Sequence, residues 1–372
     1  MRFWTTSFSR RKELPRQDLG RSNPAAAQKP CFSPAIRLTL PLKSAYGYCS
    51  ILLVQAGLLV SCARVTVPTS ASNPAPQTNT RFTPLSEGFR IVAYATEGIA
   101  ENQIPYGKLT HINYSFLIPN ADGTFKPLNH PGKLKNLVEE ARSHNVRVSI
   151  AVGGWGWDSE FEEMASRADS RAAFVTNLQR FVDDFSLAGA DIDWEYPDPG
   201  QSSQNFLALM RELRTAFLGK ILTAAVVSHG DAKGMGIPAE SFALLDFVNI
   251  MTYDGPEHGT MEHFNQGLNY WEERGLPQAK MVMGVPFYSR VEGSPGESAA
   301  YAKLVAANPA AANTDTFEVS GARHRYNGIP TIKAKTRIAL ESTGGIMFWV
   351  LDADVPGDLS LVNAIYQTAH SK

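Results

Sequence analysis

The segment Ala190-Asp-Ile-Asp-Trp-Glu-Tyr-Pro197 carries three acids at alternate positions. Side chains on a strand repeat every two residues, so Asp191, Asp193 and Glu195 share one face while Ile192 and Trp194 take the other. Burial and like charge both disfavour ionisation, so such a row raises the pKa of at least one member. A carboxyl raised toward neutrality is what a general acid needs. Glu195, last in the row, is the natural proton donor. A solvated acidic edge does not suit a strand flanked by Ile192 and Trp194. A divalent-ion site would recruit His or Asn from other strands, and none is evident. The histidines are scattered, and His258 and His263 lack helical metal spacing, so neither a metal nor a cofactor is expected.

Acids in this arrangement require a strand inside a larger sheet. From Phe89 onward, short β-branched and apolar runs alternate with helical patterns, the mark of βα units and a parallel sheet. The expected strands are Arg90–Ala95, Thr110–Phe116, Val146–Val152, Ala190–Glu195, Leu222–Val227, Phe247–Tyr253, Met281–Pro286 and Ile346–Leu351. Expected helices include Asp169–Ala188, with Phe174, Val175, Leu178, Phe181 and Val182 at helical spacing, and Gln204–Phe217. Eight strands over residues 86–372 predict an α/β chain folded as a (β/α)₈ TIM barrel, close to the roughly 250 residues usual for that fold. A doubly wound open sheet would want a glycine-rich phosphate turn after its first strand, and Ala95-Thr-Glu-Gly98 is not one. Barrel active sites lie at the C-terminal strand ends. Trp155, Trp157, Tyr196, Tyr288 and Trp349 all fall there, as a groove for the apolar faces of sugars would want.

With these residues placed, Asp191-Ile-Asp193-Trp-Glu195-Tyr-Pro resembles the catalytic signature of the family 18 glycoside hydrolases, the chitinase family. Val152-Gly-Gly-Trp155, Met251-Thr-Tyr-Asp254, Gly284-Val-Pro-Phe-Tyr288 and Gly344-Gly-Ile-Met-Phe-Trp349 are similar to further motifs of that family, in the expected order. The resemblance covers nearly all of residues 88–368. It implies that Glu195 protonates the leaving glycosidic oxygen and that the substrate's own 2-acetamido oxygen replaces a protein nucleophile. It further implies that Asp193 orients the acetamido N–H, that Asp191 shares a proton with Asp193, and that Tyr253 donates to the acetamido group. Asp254 would touch the sugar, Trp349 would floor the subsite, and Tyr94 would lie beneath the acids. Met251, Phe116, Trp155, Tyr196 and Tyr288 complete the expected substrate contacts.

The chain departs from the family pattern in places. Ala188 stands where an additional Asp is common, Ala151 where Ser often precedes the glycine pair, and Ser289 where Gly usually precedes Arg290. Ala151 thereby removes a partner for Asp191, and the expected result is retained activity with a shifted pH profile. Residues 291–325 look too few for the small α+β domain that walls the cleft in many members. The barrel is therefore expected without a large insertion domain, with a shallower groove and endo cleavage.

A net charge of −1 and no basic run beyond the N-terminal region give no electrostatic footprint for nucleic acid. Residues 1–63 are different, with nine Arg or Lys against Glu13 and Asp18. The apolar run Ile51–Val60 has the size of a signal-peptide core and ends in Leu59-Val-Ser-Cys62, which resembles a bacterial lipobox. Residues 1–61 thus read as an export signal, longer than usual, with Cys62 lipidated and 62–85 a Pro/Ser/Thr-rich tether. The protein is then expected as a monomer in the cell envelope or secreted, meeting a membrane only through that lipid and taking a chitin-like poly- or oligosaccharide as partner. Two other functions fit the same residues: a hydrolase of the same family acting on N-glycans or peptidoglycan, and a non-catalytic chitin-binding barrel. Trp194 and Trp349 favour chitin-type chains.

Overall fold

The computed structural model describes residues 88–371. The expectations for residues 1–61 and 62–85, including Cys62, lie outside the described residues. The apolar runs of the sequence become β1 (Arg90–Thr96), β2 (His111–Leu117), β3 (Arg147–Gly153), β4 (Gly189–Asp193), β5 (Ile221–Val227), β6 (Phe247–Met251) and β7 (Met281–Pro286). Four short strands follow, β8 (Tyr288–Val291), β9 (Ser294–Ala300), β10 (Thr316–Val319) and β11 (Ala322–Arg325), before β12 (Gly345–Trp349). Parallel pairing from β1 through β7 continues to β12 and returns to β1, closing an eight-stranded barrel. The expected (β/α)₈ fold is present.

Around it lie α1 (Pro131–Ser143), α2 (Asp158–Ser166), α3 (Ala168–Asp184), α4 (Gln201–Ala216), α5 (Asp231–Gly234), α6 (Met261–Glu273), α7 (Tyr301–Ala307), α8 (Ile329–Ser342) and α9 (Leu361–His370). The helical spacing works as anticipated: α3 buries Phe174, Leu178 and Val182, and α4 buries Phe206, Leu209, Met210 and Leu213. Each such side chain contributes about 1.5–3 kcal/mol by leaving water. Helix α3 ends four residues before the expected Ala188, because Ser186 turns left-handed and Leu187 N–H bonds back to the Val182 carbonyl at 2.8 Å. Among the described residues no helix is long and apolar enough to cross a membrane.

One expectation is corrected. Residues 291–325 are enough for an α+β unit: β8, β9, β10 and β11 form an antiparallel sheet in the order β10-β11-β8-β9, with α7 between its halves. The unit is small, and no large insertion domain interrupts the barrel. Ser289 acquires a role within it, since its buried Oγ lies 2.8 Å from His324 Nδ1 and accepts the Ala299 N–H at 3.2 Å, tying three of the strands together.

Gly189 opens β4, and a Cβ at this position would overlap the Ile221 carbonyl of the neighbouring strand. Gly189→Ala is expected to cost about 3 kcal/mol or more of stability, the upper range for overpacking a rigid site. A denaturant melt matching wild type would contradict this account.

Candidate active site

The acids emerge where β4 stops. Its last pairing is Asp193 with Gly153 of β3, after which Trp194 turns outward, donates Nε1–H to Asp158 at 2.8 Å and stacks on Phe161 at 5.2 Å. Glu195 and Tyr196 therefore sit on the loop at the barrel mouth rather than on the strand itself, both partly exposed. Gly153 and Gly154 make this approach feasible. Both have positive φ, and side chains there would collide with the Asp193 carbonyl, Phe161 and Phe116. Strand β6 likewise stops short, at Met251, because Thr252 N–H folds back onto the Ile250 carbonyl at 3.0 Å and its Oγ1 bonds the Gly284 carbonyl. Tyr253 and Asp254 thus also project from a strand end.

Asp191, fully buried, lies deepest. Its Oδ2 accepts the Tyr94 hydroxyl at 2.6 Å, and its Oδ1 accepts Thr223 at 2.5 Å and the Asn249 amide at 3.0 Å. Burial raises its pKa and these three donors pull it back. Asp193 is pushed up further, by burial and then by the charges of Glu195 and Asp191, and its Oδ1 is buried without a hydrogen-bond partner. Glu195 is raised to about 7, mainly by burial, with a hydrogen bond from Tyr196 pulling down and the charge of Asp254 pushing up.

Asp254 behaves oppositely. Burial would raise it, but contacts with His258, the Arg290 guanidinium and the Tyr288 hydroxyl prevail and hold it at about 2. Arg290 reaches it from β8 at 2.6 Å. Tyr253 remains a donor, its hydroxyl pKa driven up by burial and neighbouring acidic groups, and its nearest partner is Met347 Sδ at 3.8 Å.

The expected aromatics divide into two groups. Trp349 is half-buried, stacked on Phe116 at 5.4 Å and edge-on to Tyr94 at 5.8 Å, giving an aromatic floor beside the acids. Trp155 is 70% exposed at the end of β3 and Tyr288 lies edge-on to Tyr253. Tyr94 and Met251 are both buried, Tyr94 against the edge of Trp349. Trp194, at 1% exposure, faces the helices and offers nothing to a substrate, so its use as an argument for chitin fails. Sequence reasoning missed Thr223, Asn249 and the ion-pairing of Arg290. The first two carried a readable signal, a lone polar residue inside an apolar strand.

The sequence model of the Glycosyl hydrolases family 18 matches residues 90–354. An endochitinase of Manduca sexta is 33% identical over 228 residues, which cover 50% of this chain and 41% of that protein. Chitinase B of Serratia marcescens is 25% identical, covering 60% of this chain and 56% of that one. The chain thus spans less than two thirds of these relatives' length. Among solved structures, the chitinase ChiB from the chitin utilization locus of Flavobacterium johnsoniae superposes with a TM-score of 0.67 at 29% identity, covering 76% of this chain and 94% of its own. A chitinase from Bacteroides thetaiotaomicron gives 0.69 at 25% identity, covering 76% and 97%.

Proposed function

The chain belongs to glycosyl hydrolases family 18, and on that premise we propose that it hydrolyses β-1,4-linked N-acetylglucosamine chains, chitin or its oligomers, with Glu195 as the acid. Glu195 gives its proton to the glycosidic oxygen, which leaves with the bonding electron pair. The substrate's acetamido oxygen bonds to the anomeric carbon, forming an oxazolinium ring. Water, losing its proton to the Glu195 carboxylate, then opens that ring with overall retention. Asp193 receives the acetamido N–H, Tyr253 donates to the acetamido oxygen, and Trp349 carries the ring.

The observation that supports this best is the contrast between the two acids at the mouth. Glu195 keeps its proton near neutrality, whereas Asp254 is ionised but already paired with Arg290, which makes it a poor covalent nucleophile. Attack then falls to the substrate. The test is to incubate the full chain with N-acetylglucosamine oligomers, the same oligomers N-deacetylated, an N-glycan and peptidoglycan fragments, and to read products by mass spectrometry. Cleavage of the acetylated oligomers alone is expected. Cleavage of the deacetylated ones defeats the acetamido mechanism, while cleavage of only the glycan or peptidoglycan keeps the mechanism and moves the substrate. Products released from the chain interior are expected, in keeping with the small β8–β11 unit. Export through residues 1–61, lipidation of Cys62, an envelope location and a monomeric state belong to the same proposal and rest on the sequence pattern.

The pH profile follows from the acid. Glu195 must be protonated to act, so kcat/KM is expected to fall about tenfold per pH unit above about 7. A profile flat from mildly acidic to strongly alkaline pH would place the acid elsewhere.

A further inference from the structure

His258 has no part in the chemistry above, yet it is 1% exposed and lies in the loop that carries Asp254. Its Nδ1 accepts the backbone N–H of Asp254 at 3.0 Å, and its Nε2 lies 3.1 Å from the Tyr288 carbonyl. With Nδ1 accepting from the backbone, Nε2 carries the proton that faces the Tyr288 carbonyl, so the Nε2–H tautomer satisfies both partners at once, and Nδ1 also lies 3.6 Å from the Asp254 carboxylate. The ring also packs on Tyr288, centroids 4.9 Å apart.

What it holds is an uncommon conformation. Asp254 has φ +68, in the left-handed region that residues with a Cβ adopt uncommonly, Asp more readily than most. In that conformation its N–H meets His258 while its carboxylate meets Arg290. Tyr288, on the other side of His258, stands edge-on to Tyr253 at 6.2 Å. One imidazole therefore connects the loop after β6 to the first strand of the β8–β11 unit.

The geometry points to His258 as a positioning residue for hydrolysis, its ring locking Asp254 and Tyr288 together so that the Asp254 carboxylate and the Tyr253 hydroxyl keep a fixed relation at the cleavage point. This rests on the hydrolase reading given above. The far end of the loop has separate anchors: the Gly259 carbonyl accepts Asn327 Nδ2 at 2.6 Å and Lys335 Nζ at 3.0 Å, and Thr260 caps α6. Loss of the His258 bonds thus leaves the loop attached while freeing Asp254 to leave its left-handed conformation.

The test uses the full chain with His258→Phe and His258→Gln. Phe keeps a ring against Tyr288 without either bond. Gln offers an oxygen to the Asp254 N–H and an N–H to the Tyr288 carbonyl. His258→Phe is expected to lower kcat by about ten- to hundredfold, the scale of an ångström-level misplacement, with KM changed little, and His258→Gln to recover most of it. An unchanged kcat per folded molecule in the Phe variant, with only a lower melting temperature, reduces His258 to a packing residue and overturns the proposal. Nitrogen-15 NMR of the histidine rings provides a readout independent of activity: His258 is expected with its proton on Nε2, and a proton on Nδ1 at neutral pH also overturns it. A wild type that cleaves no oligomer defeats the hydrolase reading, and the NMR result still decides whether the tie exists.

Discussion

Glu195→Gln is expected to lower kcat on N-acetylglucosamine oligomers by about 10²–10⁴-fold, the usual contribution of a positioned general acid, while oligomer binding by calorimetry stays close to wild type. The amide matches the carboxyl in shape but has no acidic proton, and Asp193, Tyr253 and Trp349 are left in place. A stability measurement accompanies it. Glu195 is raised from 4.5 to about 7 in the folded chain, so its contribution is fully present below about 4.5 and is lost as pH rises through 7. The glutamine variant escapes that loss. At about 1.4 kcal/mol per unit, discounted because the side chain is partly exposed, it should melt higher than wild type at alkaline pH and equally at acidic pH. A kcat reduced less than tenfold would remove Glu195 from the acid's role, and an unaltered difference in melting across pH would mean its carboxyl is not raised.

The barrel was legible because parallel strands covered on both faces are nearly continuous apolar runs, and β1, β5, β7 and β12 fit that description, while β4 was marked by its alternating acids instead. Glu195 was legible for the converse reason, since acids alternating with Ile192 and Trp194 are costly to bury and point to chemistry at the end of the row. Strand ends were less accurate. Glu195 and Tyr253 were placed on strands that stop two residues earlier, at Asp193 and Met251, because Trp194 and Thr252 are drawn away by Asp158 and the Gly284 carbonyl. The β8–β11 sheet was not legible. Its strands, such as Ser294–Ala300, hold small and polar residues with no alternating apolar face, and their order depends on pairings between β8 and β11 across more than thirty residues. The Asp254–Arg290 pair had no local signal either, since its geometry depends on a left-handed backbone that Asp does not announce.

Asp191→Ala is expected to damage the fold as well as the reaction, which sets Asp191 apart from Glu195. In this chain the third-strand neighbour of Asp191 is Ala151, which offers no hydrogen bond, so Tyr94, Thr223 and Asn249 carry the whole burden from β1, β5 and β6. Truncation strands three buried donors at about 1–3 kcal/mol each. Removing a buried charge offsets part of that. The net loss in a denaturant melt should be about 3 kcal/mol or more, against little or none for Glu195→Gln at acidic pH. The change also acts on Asp193, whose raised pKa owes part of its elevation to the charge of Asp191. With that charge gone, Asp193 loses part of its elevation and ionises more readily in the variant that remains folded. A variant as stable as wild type would mean that Tyr94, Thr223 and Asn249 find other acceptors inside the barrel, and Asp191 would then matter only for its charge.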